Sequence, residues 1–242
     1  MDVEQALEQL QEMGTAQNRK VYARHGVREQ MFGVSFANLN KLAKSIKRDH
    51  PLAVALWDSG NHDARVLATM VADPALADEV FLEAWVAELD SYVIADAFSG
   101  LVGKTSHARA RAEQWTGAEG EWPGRAGWHL VAHLAMKDQD LPDSYFETLL
   151  ATIEAEVHSR KNRVRDAMNN ALIAIGIRNA ELQEQALAAA ARIGKVEVDH
   201  GETGCKTPDA TEYIHRTLAR REQKARAAAE KAAARGQAPA AP

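Results

Sequence analysis

A single cysteine, Cys205, occurs in the 242 residues. No internal disulfide can form, and a reducing, cytoplasmic setting is expected. No stretch approaches the ~18 consecutive apolar residues of a membrane span. The opening Met1-Asp2-Val3-Glu4-Gln5 is acidic and helical, the reverse of a basic, then apolar signal segment. Proline (7) and glycine (15) are sparse, and runs of Val, Ile and Thr are short. Both scarcities, with abundant alanine, argue for helix over sheet. An excess of basic charge is missing as well. The net charge is −5, and residues 219–242 carry six basic groups and two acids, leaving −9 on the first 218. A nucleic-acid binder is more often basic overall, so contact with DNA would need a local basic face.

What is present is helix after helix. Residues 2–12 place Val3, Ala6, Leu7 and Leu10 on one face, with Gly14 as C-cap. Gln17–Glu29 is a polar, basic segment. Ser35 caps a helix carrying Leu39, Leu42, Ala43 and Ile46. His50-Pro51 and Asp73-Pro74 break the chain around short helices at Leu52–Trp57 and His62–Ala72. Further helices are expected at 77–88, 89–102, 106–115, 121–136, 142–157, 160–176, 179–193 and 208–234, with Lys195–Val198 the one candidate strand. Short helices joined by Gly/Pro turns point to an all-α repeat solenoid of HEAT-like type. Arg65, Arg125 and Arg165 each stand just inside a helix, and the 40-residue spacing of the last two fits a HEAT period of ~40–47. Such a stack has a concave groove suited to a long ligand. Two units follow: a helical-repeat domain over 1–218 and a basic, Ala-rich tail over 219–242 that fades from solvated helix into disorder.

The stretch Leu89–Phe98 holds the most informative acid. Tyr92 and Asp96 lie four apart on one helical face, beside Val93, Ile94 and Ala97. An acid in such a setting is either satisfied by a partner or placed for chemistry. The arginines admit two readings as well. They pair with Asp63, Glu121 and Asp166, or they form a phosphate-binding line. Arg160, Lys161, Arg163 and Arg165 form the densest basic cluster of the body, at a helix start that favours anions. Trp57, Trp85 and Trp128 are expected in the core, and Trp115, beside Gly117, partly exposed. One of Asn169 and Asn170, inside an apolar helix, is expected to make a specific hydrogen bond.

The loop Val198–Ala210 is the most unusual local sequence. Thr207-Pro208-Asp209 reads as N-cap, N1 and first-turn acid. A Gly-x-x-Gly turn followed by Lys206 offers a phosphate contact. His200 and Cys205 are too few for a metal site, and no metal or cofactor is expected.

Three blocks carry a resemblance to the HEAT-like DNA alkylation-repair family, which includes the AlkC and AlkD glycosylases. Leu56–Ala68 is similar to the family's Leu-Trp-x-x-x-x-x-Glu-x-(apolar) repeat. Asp96, four residues after an aromatic, resembles its catalytic aspartate. Trp122-Pro123-Gly124-Arg125 looks like its Trp-x-x-Arg, whose Arg faces the DNA. The similarity runs over roughly residues 5–220.

The resemblance implies a solenoid that wraps duplex DNA, and nothing in the sequence suggests more than a monomer. It also implies hydrolysis of the N-glycosidic bond of cationic alkylpurines such as 3-methyladenine or 7-methylguanine. Asp96 would stabilise the sugar cation, with Tyr92 as aromatic partner and Arg125 as cleft cation. Trp122, Arg160, Lys161, Arg163, Arg165, Asn170 and Lys206 complete the expected DNA-binding set. Tyr92 and Asn170 stand where AlkD-like enzymes carry Trp, which reduces the aromatic cradle. The alternative is a non-catalytic α-solenoid that binds nucleic-acid structures or a protein partner.

Overall fold

A computed structural model describes residues 1–27 and 30–236, with side chains as far as 230. Thirteen helices occur among these residues: α1 (Val3–Met13), α2 (Ala16–Arg24), α3 (Phe36–Ile46), α4 (His50–Asp58), α5 (His62–Val71), α6 (Glu79–Ala87), α7 (Tyr92–Val102), α8 (Ala108–Thr116), α9 (Glu121–Lys137), α10 (Asp143–Glu156), α11 (Asn162–Gly176), α12 (Ala180–Ile193) and α13 (Ala210–Gly236). Lys195–Val198 is loop, not strand. The expected segment Gln17–Glu29 ends as helix at Arg24, and its residues 28 and 29 lie outside the described residues, as do tail residues 237–242.

The starts of many helices were written locally. Asp2, Thr15, Ser35, Asp49, Asn61, Asp78 and Asn179 each accept a hydrogen bond from the first-turn backbone of α1 to α6 and α12. Each such cap stabilises its helix by about 1 kcal/mol. Two expected boundaries move. Ser91 occupies the N-cap position of α7, so the helix begins at Tyr92 rather than residue 89. Asp209, not Thr207, caps α13 by accepting from Glu212 N at 2.8 Å, while Thr207 Oγ1 bonds His200.

The helices form two layers. Consecutive odd-numbered helices from α3 to α13 pack side by side, and α4, α6, α8, α10 and α12 cover them from behind. This is the HEAT-like α-solenoid expected from the pattern. Its buried seam runs through Leu10, Leu56, Leu67, Phe98, Trp128, Ile153 and Ile175. Trp57 and Trp85 stack with centroids 4.0 Å apart and planes 8° apart, a pairing that adds about 1 kcal/mol to simple burial. Trp115 is buried rather than partly exposed. A Cβ at Gly127 would sit 2.5 Å from the Trp115 carbonyl carbon, so this glycine lets α8 lie directly on α9. Ile214 and Leu218 tie α13 to the body, and Arg221 donates to Ile177 O at 2.6 Å. Beyond Arg221 the described side chains of α13 are exposed.

Candidate nucleic-acid interface

Neighbouring inner helices bring Asp96 (α7), Arg125 and His129 (α9) and Asp166 (α11) into one cluster. Arg125 Nε donates to Asp96 Oδ1 at 2.7 Å, and Nη2 donates to Asp96 Oδ2 at 2.9 Å. Its Nη1 donates to Asp166 Oδ2 at 2.8 Å and to the Arg163 carbonyl at 3.0 Å. The side chain of Arg125 is 4% exposed, that of Asp96 34%. Burial works to lower the guanidinium's pKa, but the hydrogen bonds and charge of Asp96, then Asp166, outweigh it, so the net shift is upward. His129 Nε2 lies 3.2 Å from Asp96 Oδ1. Burial lowers the pKa of His129 below its ordinary value, against the opposing pull of Asp96. The histidine is therefore neutral at pH 7. Two carboxylates sharing one guanidinium leave the cluster with a net charge of −1, and Asp96 is its outermost member.

This corrects the expected role of Arg125. It is not a free cation for phosphate but the bolt between two acids. Arg65 is likewise engaged, though not with Asp63. It donates to Glu88 at 2.6 Å and to Trp57 O at 3.2 Å. Arg160 also has internal work, donating to Thr116 O at 2.8 Å and Ala118 O at 3.0 Å at the end of α8. Arg165 is half-buried, and its Nε has no hydrogen-bond partner among the described residues. Lys161 and Lys206 are exposed. Asn170 is half-buried on α11, whereas its neighbour Asn169 makes the specific bond, donating to Pro208 O at 3.0 Å.

Tyr92, the first residue of α7, lines two cavities at the inner layer. Its hydroxyl hydrogen-bonds His25 Nδ1 at the end of α2. Its ring lies under two guanidinium groups, Arg163 at 4.7 Å and Arg125 at 5.3 Å. Arg163 Nη1 lies 3.5 Å from His200 Nδ1, which links the Val198–Ala210 loop to α7 and α2. A cavity of about 480 Å³ lies on one side of Tyr92, lined by Tyr22, His25, Phe36 and Asp96. A second, more polar one of about 780 Å³ lies on the other, lined by Asp90, Glu121, Trp122 and Arg163. Nothing in the sequence marks His25 as a site residue. It lies 67 residues from Tyr92, and no local pattern encodes that pairing. Among the described residues no three His, Cys, Asp or Glu side chains gather to hold a metal ion. Among the described residues no helix is long and apolar enough to cross a membrane.

A family model described as DNA alkylation repair enzyme matches residues 3–214. The chain belongs to that family. The uncharacterized protein Lin0241 of Listeria innocua is 30% identical over 215 residues, covering 86% of this chain and 93% of its own. Lmo0209 of Listeria monocytogenes, also uncharacterized, is 29% identical over the same shares. A solved structure described as a new family of proteins related to the HEAT-like repeat DNA glycosylases, with affinity for branched DNA structures, superposes with a TM-score of 0.84. It is 28% identical and covers 91% of this chain and 95% of that one. Family membership makes the inner layer, with Asp96 and Tyr92 on its surface, the candidate face for nucleic acid.

Proposed function

We propose that the chain binds DNA along its inner helical layer, holds branched DNA in preference to straight duplex, and does so without breaking glycosidic bonds. The observation that carries this reading is the state of Tyr92. Its hydroxyl is held by His25 and its ring is covered by Arg163 and Arg125. The position expected to hold a deoxyribose is thus occupied from within, and Asn170 offers no second ring. Both oxygens of Asp96 are bound by Arg125. The affinity of the structural neighbour for branched DNA supports the same choice. Lys161, Arg163 and Lys206 supply local positive charge on a body that is acidic overall. The reading invokes no metal or nucleotide cofactor.

The test compares a three-way junction with a straight duplex of equal length, in a binding titration at low and moderate salt. The junction is expected to bind about tenfold tighter, with both affinities falling as salt rises. Equal affinity for the two would defeat the shape preference.

A second reading, base release from alkylated DNA, is favoured by one observation. The Asp96 cluster keeps its net negative charge next to a 480 Å³ cavity, where it would stabilise a developing sugar cation. Free 7-methylguanine or 3-methyladenine appearing in a timed incubation, and disappearing in Asp96→Asn, would establish it in place of the first.

A further inference from the structure

Three inner helices, α7, α9 and α11, begin around the 780 Å³ cavity, and none of them has a side-chain cap from its own N-cap residue. The volume is within the ~300–1,000 Å³ typical of small-ligand sites. Its wall carries the groups that a single nucleotide needs. Trp122 is half-buried, whereas the other four tryptophans are at most 4% exposed. Asp90 is exposed and makes no hydrogen bond or ion pair among the described residues. Glu121 accepts from the Arg163 backbone N at 2.7 Å. The Arg163 guanidinium has no carboxylate partner among the described residues and rests on the Tyr92 ring. The Ser91 hydroxyl, in a residue 3% exposed, has no hydrogen-bond partner. It stands at the α7 start, where the first N–H groups lack intrahelical acceptors.

We propose that this cavity receives one unpaired guanine with its phosphate, extruded from a DNA strand. The inference rests on the DNA-binding reading above and names the base that the groove selects. The ring stacks on Trp122. The Asp90 carboxylate accepts from N1–H and the exocyclic amine together. Guanine alone among the four bases presents two adjacent donors on its Watson–Crick edge. Adenine and cytosine place an acceptor beside the amine, which a carboxylate repels, and thymine flanks one N–H with two carbonyls. The phosphate lies on Arg163 and the open N-terminus of α7. Extrusion costs least where a base is already unpaired, as at a branch point. The acids Asp90 and Glu121 make the cavity unsuited to a bare anion, so the base must be part of the ligand.

The experiment uses the full chain and its own tryptophan emission, in which Trp122 is the solvent-facing reporter. Three-way junctions carry an unpaired guanine, an unpaired adenine or no unpaired base at the branch. The guanine junction is expected to bind about tenfold tighter than the adenine junction, the discrimination of one good bidentate pair, and to quench emission. Trp122→Phe should lose the quench, and Trp122→Ala should in addition lower the affinity for the guanine junction about tenfold. Asp90→Asn should erase the preference for guanine while leaving the thermal melt unchanged. Junctions that all bind alike would overturn the pocket and leave the DNA-binding reading standing. A quench that survives in Trp122→Phe would overturn the stacking geometry on which the pocket depends. Loss of all DNA binding at low salt would remove both.

Discussion

Asp63 and Asp96 are both helix acids at the inner layer, yet their surroundings assign them opposite roles. Asp63, second residue of α5, is fully buried. Its carboxylate accepts from three backbone N–H groups, those of Phe32 at 2.7 Å, Gly33 at 2.9 Å and Val34 at 2.8 Å. It is a fixed weld between the Phe32–Val34 stretch and the second inner helix. Asp96 is held by side chains rather than backbone and keeps a third of its surface open to a cavity. A tyrosine hydroxyl and a neutral histidine attend each acid. Tyr22 donates to Val34 O beside Asp63, and Tyr92 bonds His25 beside Asp96. Burial keeps His62 and His129 below the ordinary histidine value against the pull of these acids. Bound backbone makes an acid structural, and bound side chains with open surface leave it available to a ligand.

The largest effect expected is on the Asp63 side. Asp63→Ala strands three N–H groups, each costing ~1–3 kcal/mol when buried and unsatisfied. A loss of about 4 kcal/mol in urea unfolding is expected, with DNA binding intact wherever the fold persists. A loss under about 1 kcal/mol would mean that the weld is not what holds the Phe32–Val34 stretch. Next comes Arg125→Met, which leaves Asp96 and Asp166 facing each other without their cation. Breaking such a pair costs ~3–5 kcal/mol when fully buried. The open surface of Asp96 lowers this to about 3 kcal/mol. Asp96→Asn keeps hydrogen-bonding capacity and should cost about 1 kcal/mol. If Asp96→Asn were as damaging as Asp63→Ala, the distinction between the two acids would collapse.

The sequence made one of these acids visible and hid the other. Asp96 drew notice because Tyr92 and its apolar neighbours share its helical turn. From the sequence Asp63 reads only as a possible partner for Arg65, since its actual partners lie about 30 residues upstream in a segment without periodicity. The same limit applies to Arg125. Its helix and position were legible, but its two acids come from helices 29 and 41 residues away. Helix number, the two-layer stack and the tryptophan core follow from caps and apolar stripes, which are local. Trp115 escaped because its burial depends on Gly127, a residue of the next helix. Free surface on a side chain is a property of the assembled stack, so the candidate residues could be nominated in advance but not sorted into bolts and contacts.

Proton linkage offers a finer comparison of the two sites. A histidine whose folded pKa is lowered leaves the unfolded chain binding more protons as pH drops. Its stabilising contribution is complete above the unfolded value near 6.5 and is lost as pH falls from there through the folded value. His62→Gln and His129→Gln should each flatten the fall in stability below pH ~6.5, relative to the intact chain. The check is a set of urea midpoints between pH 8 and 5. His25 and His133 are shifted downward as well, chiefly by burial, so neither variant alone removes the whole slope. An unchanged slope in both would show that the two histidines are not the groups held neutral.

The smallest expected effects separate the two tyrosines. Tyr22→Phe removes a hydroxyl that donates to the Val34 carbonyl, directly behind the Asp63 weld, and should cost about 1 kcal/mol with no change in DNA affinity. Tyr92→Phe should cost less, because its partner His25 lies at the groove and regains water on release. Its ring still supports Arg163, so junction affinity should stay within about twofold, while Tyr92→Ala should lower it about tenfold by removing the platform. The pair of Tyr92 variants, measured by junction titration, decides whether that residue acts through its hydroxyl or its ring. A loss in Tyr92→Phe equal to that in Tyr92→Ala would move the weight to the His25 hydrogen bond and make α2 part of the DNA-binding face.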